Sequence, residues 1–264
     1  MTSGSAERTA GAFEVLCEIE PASGPDLTRV RRQTAVLTGA VDRFLVPDNH
    51  LGRATVSSIA VAREVAALGG SAVACVNSRD RNLLGFRRDL LTAAAYGVDE
   101  FLFVRGDEPA VGTRSTDLTV RRMIDEAHDY AERDFKVGAT LRCGGTVPTW
   151  KQATDFLLVQ VNFDVNSLIQ WRESVRYEGR LLAGVMVMAS ADMARRIAAD
   201  VPEINVPAAL TEALESDRDA GVDLAVNMVA EIRASGAFDG VYLVPVGRYT
   251  QMAARLRAAR SVLS

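Results

Sequence analysis

Residues Ser71–Gly106 read SAVACVNSRDRNLLGFRRDLLTAAAYGVDEFLFVRG. Ser71–Ser78 is a short apolar run with almost no polar interruption, as in a strand covered on both faces. Asn82–Tyr96 is longer and amphipathic, which predicts a helix, and Gly97 supplies the left-handed stop. Glu100–Gly106 (EFLFVRG) is a second apolar run of strand length. Strand, helix and strand in this order form a βαβ unit, whose strands lie parallel.

The same unit repeats outward in both directions. Upstream, Phe13–Glu20 and Arg43–Asp48 predict strands, with helices over Asp26–Thr38 and Ser57–Leu68. Downstream, strands are expected at Lys136–Arg142, Asp155–Asn162, Leu181–Ala189 and Gly240–Val246. Helices are expected at Thr116–Arg133, Val165–Glu178, Asp192–Asp200, after Pro207, over Val222–Ser235 and from Thr250, with a short one after Pro148. The sum is eight strands, nearly all followed by a helix. That count in 264 residues favours a single-domain α/β (β/α)8 TIM barrel over an open sheet. An open nucleotide-binding sheet also wants G-x-G-x-x-G after the first strand, where this chain has Pro21-Ala22-Ser23-Gly24. Residues 1–11 are expected to be a flexible tail, and 12–264 the barrel.

Composition narrows the function. The longest apolar run, Leu181–Ala189, is too short to cross a membrane, and Met1–Ala10 has no apolar core of a secretory signal. Thirty basic against 34 acidic residues, with the basic ones scattered, give no general drive toward nucleic acid. Cys17, Cys75 and Cys143 are too few and too irregular for a disulfide scaffold, so a cytoplasmic location is expected. His50 and His128 are the two histidines, and no metal site is expected. Of the two lysines, Lys136 opens its strand at the wrong end for Schiff-base chemistry, and Lys151 lies in a connection.

In a (β/α)8 barrel the active site lies at the C-terminal ends of the strands. The polar residues there are Glu18 and Glu20, Asp48 and Asn49, Asn77, Arg79 and Asp80, Arg105 and Asp107, Arg142, Gln160 and Asn162. A mouth of carboxylates and amides suits proton transfer and recognition of a polar heterocycle. Each residue also has a plainer reading. Glu18 or Glu20 forms an ion pair with an arginine; Asp107 is a turn carboxylate bonded to backbone N–H groups; Asp80 or Asn82 caps a helix; Gln160 links the barrel by a hydrogen bond.

An ordered set of motifs then becomes specific. FEVLCEIEP at Phe13–Pro21, Val46-Pro47-Asp48-Asn49, Arg79-Asp80-Arg81-Asn82 and Val104–Pro109 (VRGDEP) resemble segments of the 5,10-methylenetetrahydrofolate reductase family, as do Phe156–Gln160 with Phe163-Asp164, Val206-Pro207 and Gly240-Val241-Tyr242. The resemblance spans residues 13 to 257. It implies a (β/α)8 barrel that reduces 5,10-methylenetetrahydrofolate to 5-methyltetrahydrofolate. Glu18 matches the family's general acid, Asp107 an aspartate that stabilises the iminium cation, and Gln160 a glutamine on the pterin, with Asn162 and Arg105 also on the substrate side. Asp48, Asn49, Asn77 and Arg79 fall on the cofactor side.

The departures are one-sided. The family's H-L-T-C before the R-D pair is Cys75-Val76-Asn77-Ser78 here, its V-T-D-N has Pro47 in the threonine position, and its Tyr-Pro-Glu-x-His stretch is replaced by Thr140–Gly145. These positions belong to the flavin side, whereas Glu18, Asp107 and Gln160 persist. The expectation is a flavin-free variant taking hydride directly from NADH, with NADPH as the alternative donor. The competing readings are a conventional FAD-dependent reductase, a relative using a deazaflavin-like donor, and a non-catalytic folate- or flavin-binding subunit. Arg142 and Arg248 are candidates for the carboxylates of a folate tail.

Overall fold

The computed structural model describes residues 12–201 and 204–262. The predicted tail, residues 1–11, lies outside them. Eight parallel strands close into one barrel in sequence order. They are β1 (Glu14–Glu18), β2 (Arg43–Val46), β3 (Ala72–Asn77), β4 (Glu100–Val104), β5 (Lys136–Leu141), β6 (Phe156–Val159), β7 (Arg180–Met186) and β8 (Gly240–Val244). β8 returns to pair with β1, Cys17 opposite Leu243, so the sheet has no free edge.

The outer ring is α1 (Thr28–Leu37), α2 (Ser58–Ala67), α3 (Leu83–Tyr96), α4 (Val120–His128), α5 (Val165–Ser174), then α6 (Ala191–Asp200), α7 (Ala208–Ser216) and α8 (Ala220–Ser235) between β7 and β8, and finally α9 (Tyr249–Val262). Most of the expected boundaries move by a few residues, and three of the shifts are instructive. α4 is half the length that its periodicity predicts, because Thr119 caps it by accepting from Arg122 N at 3.2 Å. α5 ends at Val175 rather than running on to Glu178. β6 stops at Val159, two residues after which the Asn162 side chain turns the chain by accepting from Asp164 N. No helix among the described residues is long and apolar enough to cross a membrane.

Alternation along the strands sorts side chains into two cores. Outward-facing residues such as Val15, Phe44, Val76, Phe101, Leu157 and Val241 pack under the helices. Inward-facing Leu16, Leu45, Val73, Cys75, Leu102, Phe156, Leu158 and Leu182 fill the barrel. Gly138 on β5 makes room for Phe156, whose ring would lie 2.2 Å from any Cβ there. Beneath this apolar layer, at the N-terminal end, Glu14 bonds Arg43 and Arg180, and Arg43 also bonds Glu100. This four-residue ion cluster plugs the lower end. A ligand therefore reaches the interior from the C-terminal mouth.

Candidate active site

β1 alternates Glu14, Leu16 and Glu18 onto the inner face, which carries Glu18 to the mouth above the apolar layer. There the Tyr242 hydroxyl, facing inward from β8, donates to its Oε2. Burial pushes the Glu18 carboxyl above its ordinary range. The Tyr242 hydrogen bond and the charge of nearby His50 pull the other way without cancelling it. Burial, then the Glu18 charge, push the Tyr242 phenol well up, so it stays a donor. The thiols of Cys17 and Cys75 are likewise raised by burial and by Glu18, which leaves both in the unreactive thiol form. Glu20 takes the plainer role: it pairs with Arg29 of α1.

Tyr242, Gln160, Met186, Val244 and Arg142 line a cavity of about 660 Å³ at the mouth. Its walls are mainly apolar, with Leu158 at the base and Ile204 at the side. The Gln160 backbone is tied to Leu141 O at 2.8 Å, and its exposed side-chain amide makes no hydrogen bond among the described residues. That amide is free to read a heterocycle. Asn162 is not comparable: its Oδ1 accepts from Asp164 N, and its side chain also bonds Cys143. Arg248 is held by Asp219 and the Arg218 carbonyl, whereas Arg142 is exposed at the cavity wall.

The residues expected on the cofactor side do come together, as a clamp between loops. Asp48, with its side chain 3% exposed, accepts from Asn77 N, Asn77 Nδ2 and Arg81. Arg79 is 1% exposed; it binds Asp80 through two nitrogens, and the carbonyls of Asp107 and Asn49. Asn49 Nδ2 completes the ring to Asp80 at 2.7 Å. The Arg79 guanidinium holds the Asp80 carboxyl down at about 2. Asn77, Arg79 and the Asp48 carboxylate are thus taken up by the protein itself, and burial keeps them from touching a ligand directly.

This clamp supports a strained loop. Asn49 and Leu51 both adopt left-handed backbone angles (φ 46° and 53°), which cost non-glycine residues about 1 kcal/mol or more each. Gly52, at φ 72°, lets the loop press against the β4–α4 loop: a Cβ there would lie 2.1 Å from Glu108 O. Asp107 is exposed, and its Oδ2 accepts from Leu51 N at 3.2 Å. Both the turn-like behaviour expected of it and a place at the rim are therefore realised. Arg105 faces a neighbouring groove, described below.

The residues missed by sequence reasoning are Tyr242 and His50. Tyr242 had a usable signal: in GVYLV, alternation from Gly240 puts residue 242 inside the barrel, beside β1. His50 follows the second predicted strand, which already puts it near the mouth; the structure adds that its charge reaches Glu18.

Fold and site together define a (β/α)8 barrel with a partly buried carboxyl bonded to the wall of an apolar, C-terminal cavity. Comparison with known proteins narrows this class. The methylenetetrahydrofolate reductase family model matches residues 151–256, from the turn before β6 into α9, in line with the resemblance seen in the sequence. A search of curated proteins by sequence gives no match. Among solved structures, an uncharacterized protein from Clostridium thermocellum that binds two copies of 5-methyl-5,6,7,8-tetrahydrofolic acid superposes with a TM-score of 0.66, at 11% identity over 97% of each chain. The spore cortex-lytic enzyme SleL of Bacillus cereus gives 0.57 at 12% identity, covering 94% of this chain and 74% of that one. EDTA monooxygenase from Chelativorans sp. BNC1 gives 0.54 at 9% identity, over 94% of both. At such identities the likeness is one of fold. Gln160 and Tyr242 fall inside the family match, whereas Glu18 and Asp107 precede it.

Proposed function

We propose that the protein reduces 5,10-methylenetetrahydrofolate to 5-methyltetrahydrofolate with hydride taken directly from a reduced nicotinamide dinucleotide. The observation that carries this reading is the Glu18 carboxyl, raised by burial and fixed by Tyr242 at the edge of the cavity that Gln160 lines. The family match and the folate bound by the Clostridium thermocellum protein support the substrate class.

The chemistry balances as one hydride and one proton. Glu18 protonates the bridging amine nitrogen that leaves, the C–N bond to it breaks, and the other nitrogen is left in a cationic iminium. The dihydronicotinamide supplies the hydride that turns the iminium carbon into a methyl group. Glu18 suits the first step because a buried carboxyl keeps its proton near neutral pH. Tyr242 holds one carboxyl oxygen, which aims the other at the substrate. The apolar walls exclude water and strengthen these interactions. The Gln160 amide orients the pterin edge, and Asp107 supplies negative charge at the rim for the cation.

A flavin fits the β2–β3 side poorly. The polar groups that would greet it, on Asp48, Asn77 and Arg79, are buried and already partnered, Asp48 by Asn77 and Arg81, and Arg79 by Asp80. Purified protein mixed with NADH and methylenetetrahydrofolate, without added FAD, is expected to be colourless and to oxidise the nicotinamide. Stoichiometric flavin absorbance, or no turnover until FAD is added, would overturn the direct-transfer reading. A chain that binds folate yet shows no turnover with any donor would be a binding subunit instead.

A further inference from the structure

Beside the central cavity lies a second concavity, of about 680 Å³, between the β4 and β5 ends and the start of α4. Thr140 and Lys151 line both, so the two spaces adjoin. Four cations border this groove: Arg105, Arg114, Arg121 and Lys151. Arginines nearby are neutralised by carboxylates: Arg79 by Asp80, Arg81 by Asp48 and Asp89, Arg87 and Arg122 by Glu126, Arg133 by Asp99. In the groove only Arg114 is, by the exposed Glu108 at 2.6 Å. Arg105, Arg121 and Lys151 meet no carboxylate among the described residues, in a chain whose acids outnumber its bases.

Lys151 is the most telling of these. Half-buried, its ammonium donates to the Thr140 carbonyl at 2.5 Å and stands 5.0 Å from the centre of the Trp150 ring. Burial lowers its pKa, the mark of a cation lacking a counter-charge. The N-terminus of the nine-residue α4 opens on the same space through Val120, adding its positive dipole end. Unneutralised positive charge concentrated in a concave site is what a polyanion fills.

We infer that this groove binds the diphosphate of the nicotinamide dinucleotide, while the nicotinamide itself enters the adjoining cavity. Trp150 offers a ring face at the groove wall against which a base can stack. The inference rests on the direct-transfer reading above, and names where the donor's charged half is held. An anionic γ-glutamyl tail of the folate carries the same charge and is the rival occupant.

The test uses Arg121→Glu; that side chain is exposed, so the barrel should fold unchanged. Calorimetry with ADP-ribose, which carries the diphosphate but no reducible ring, should show affinity weakened at least about tenfold. KM for the dinucleotide should rise by a similar factor with kcat little changed. Turnover with 1-benzyl-1,4-dihydronicotinamide, a donor without phosphate, should be the same in variant and parent. Unchanged ADP-ribose affinity overturns the groove assignment. So does a raised KM confined to polyglutamylated folate, which would give the groove to the tail. If the parent protein oxidises neither donor, direct transfer has failed, and the calorimetry still judges the groove by itself.

Discussion

Glu18 and Glu14 lie on the same face of the same strand, four residues apart, yet their surroundings give them opposite roles. Glu14 sits among arginines and is part of the barrel's lower plug; Glu18 has a phenol and two thiols around it, and burial pushes its carboxyl up. Glu18→Gln should fold and bind folate but lose turnover by on the order of 10²-fold or more, measured by steady-state nicotinamide oxidation. It should also alter stability against pH. A carboxyl whose pKa is raised on folding binds more protons folded than unfolded, so stability falls as pH rises from the unfolded value through the folded one. The substitution removes that fall. Melting temperatures of parent and variant should converge near pH 4, and the variant should be the more stable at pH 8. Tyr242→Phe acts differently. Its hydrogen bond favours the ionised acid, so removing it raises the Glu18 pKa, and the alkaline limb of the kcat/KM profile should move to higher pH. Glu18 was legible in the sequence because charge on the inner face of a strand is conspicuous. Tyr242 was legible only as an inward position of the last strand; its bond to Glu18 depends on the pairing of β8 with β1.

At the level of elements, the β2, β3 and β4 loops behave as one body, tied by Arg79, Asp48, Asn77 and Asp80. Asp107 fastens this body to the strained stretch around Leu51. Its charge and its hydrogen bond can be separated by two substitutions. Asn keeps an acceptor for Leu51 N but no charge, whereas Ala keeps neither. If Asp107 acts on the cation by charge, both variants should lose about tenfold or more in kcat. If it acts only by holding the loop, Asn should restore most of the activity, and Ala should speed amide exchange at Leu51, the lost bond being worth about 1 kcal/mol. The motifs made this region visible in the sequence, but not which of its side chains are buried. RDRN and VPDN look like ligand-binding sets because buried polar residues and ligand-binding polar residues are of the same types; only accessibility distinguishes Arg79 from Gln160. Helix ends were similarly hard to read: α4 keeps an amphipathic period beyond both ends, and the Thr119 cap settles where it starts.

For the whole molecule, eight apolar runs separated by amphipathic ones were enough to expect a closed parallel barrel, since each run needs cover on both faces. The ion plug could not be foreseen, because Glu14, Arg43, Glu100 and Arg180 are far apart in sequence and read as strand-edge charges. Glu14→Gln leaves two inward arginines short of negative charge, and should lower unfolding free energy by about 3 kcal/mol in urea titration. Since the plug lies below the apolar layer, the pH profile of the surviving activity should keep its shape. The ring also closes at a particular place. β1 and β8 are its first and last strands, and the bond from Tyr242 to Glu18 spans 224 residues of chain across that closure. During synthesis on the ribosome Glu18 therefore lacks its phenol partner until β8 has emerged. A nascent chain cut short before Gly240 possesses Glu18, the loop clamp and most of the walls, so under the proposed mechanism its acid is not yet aimed.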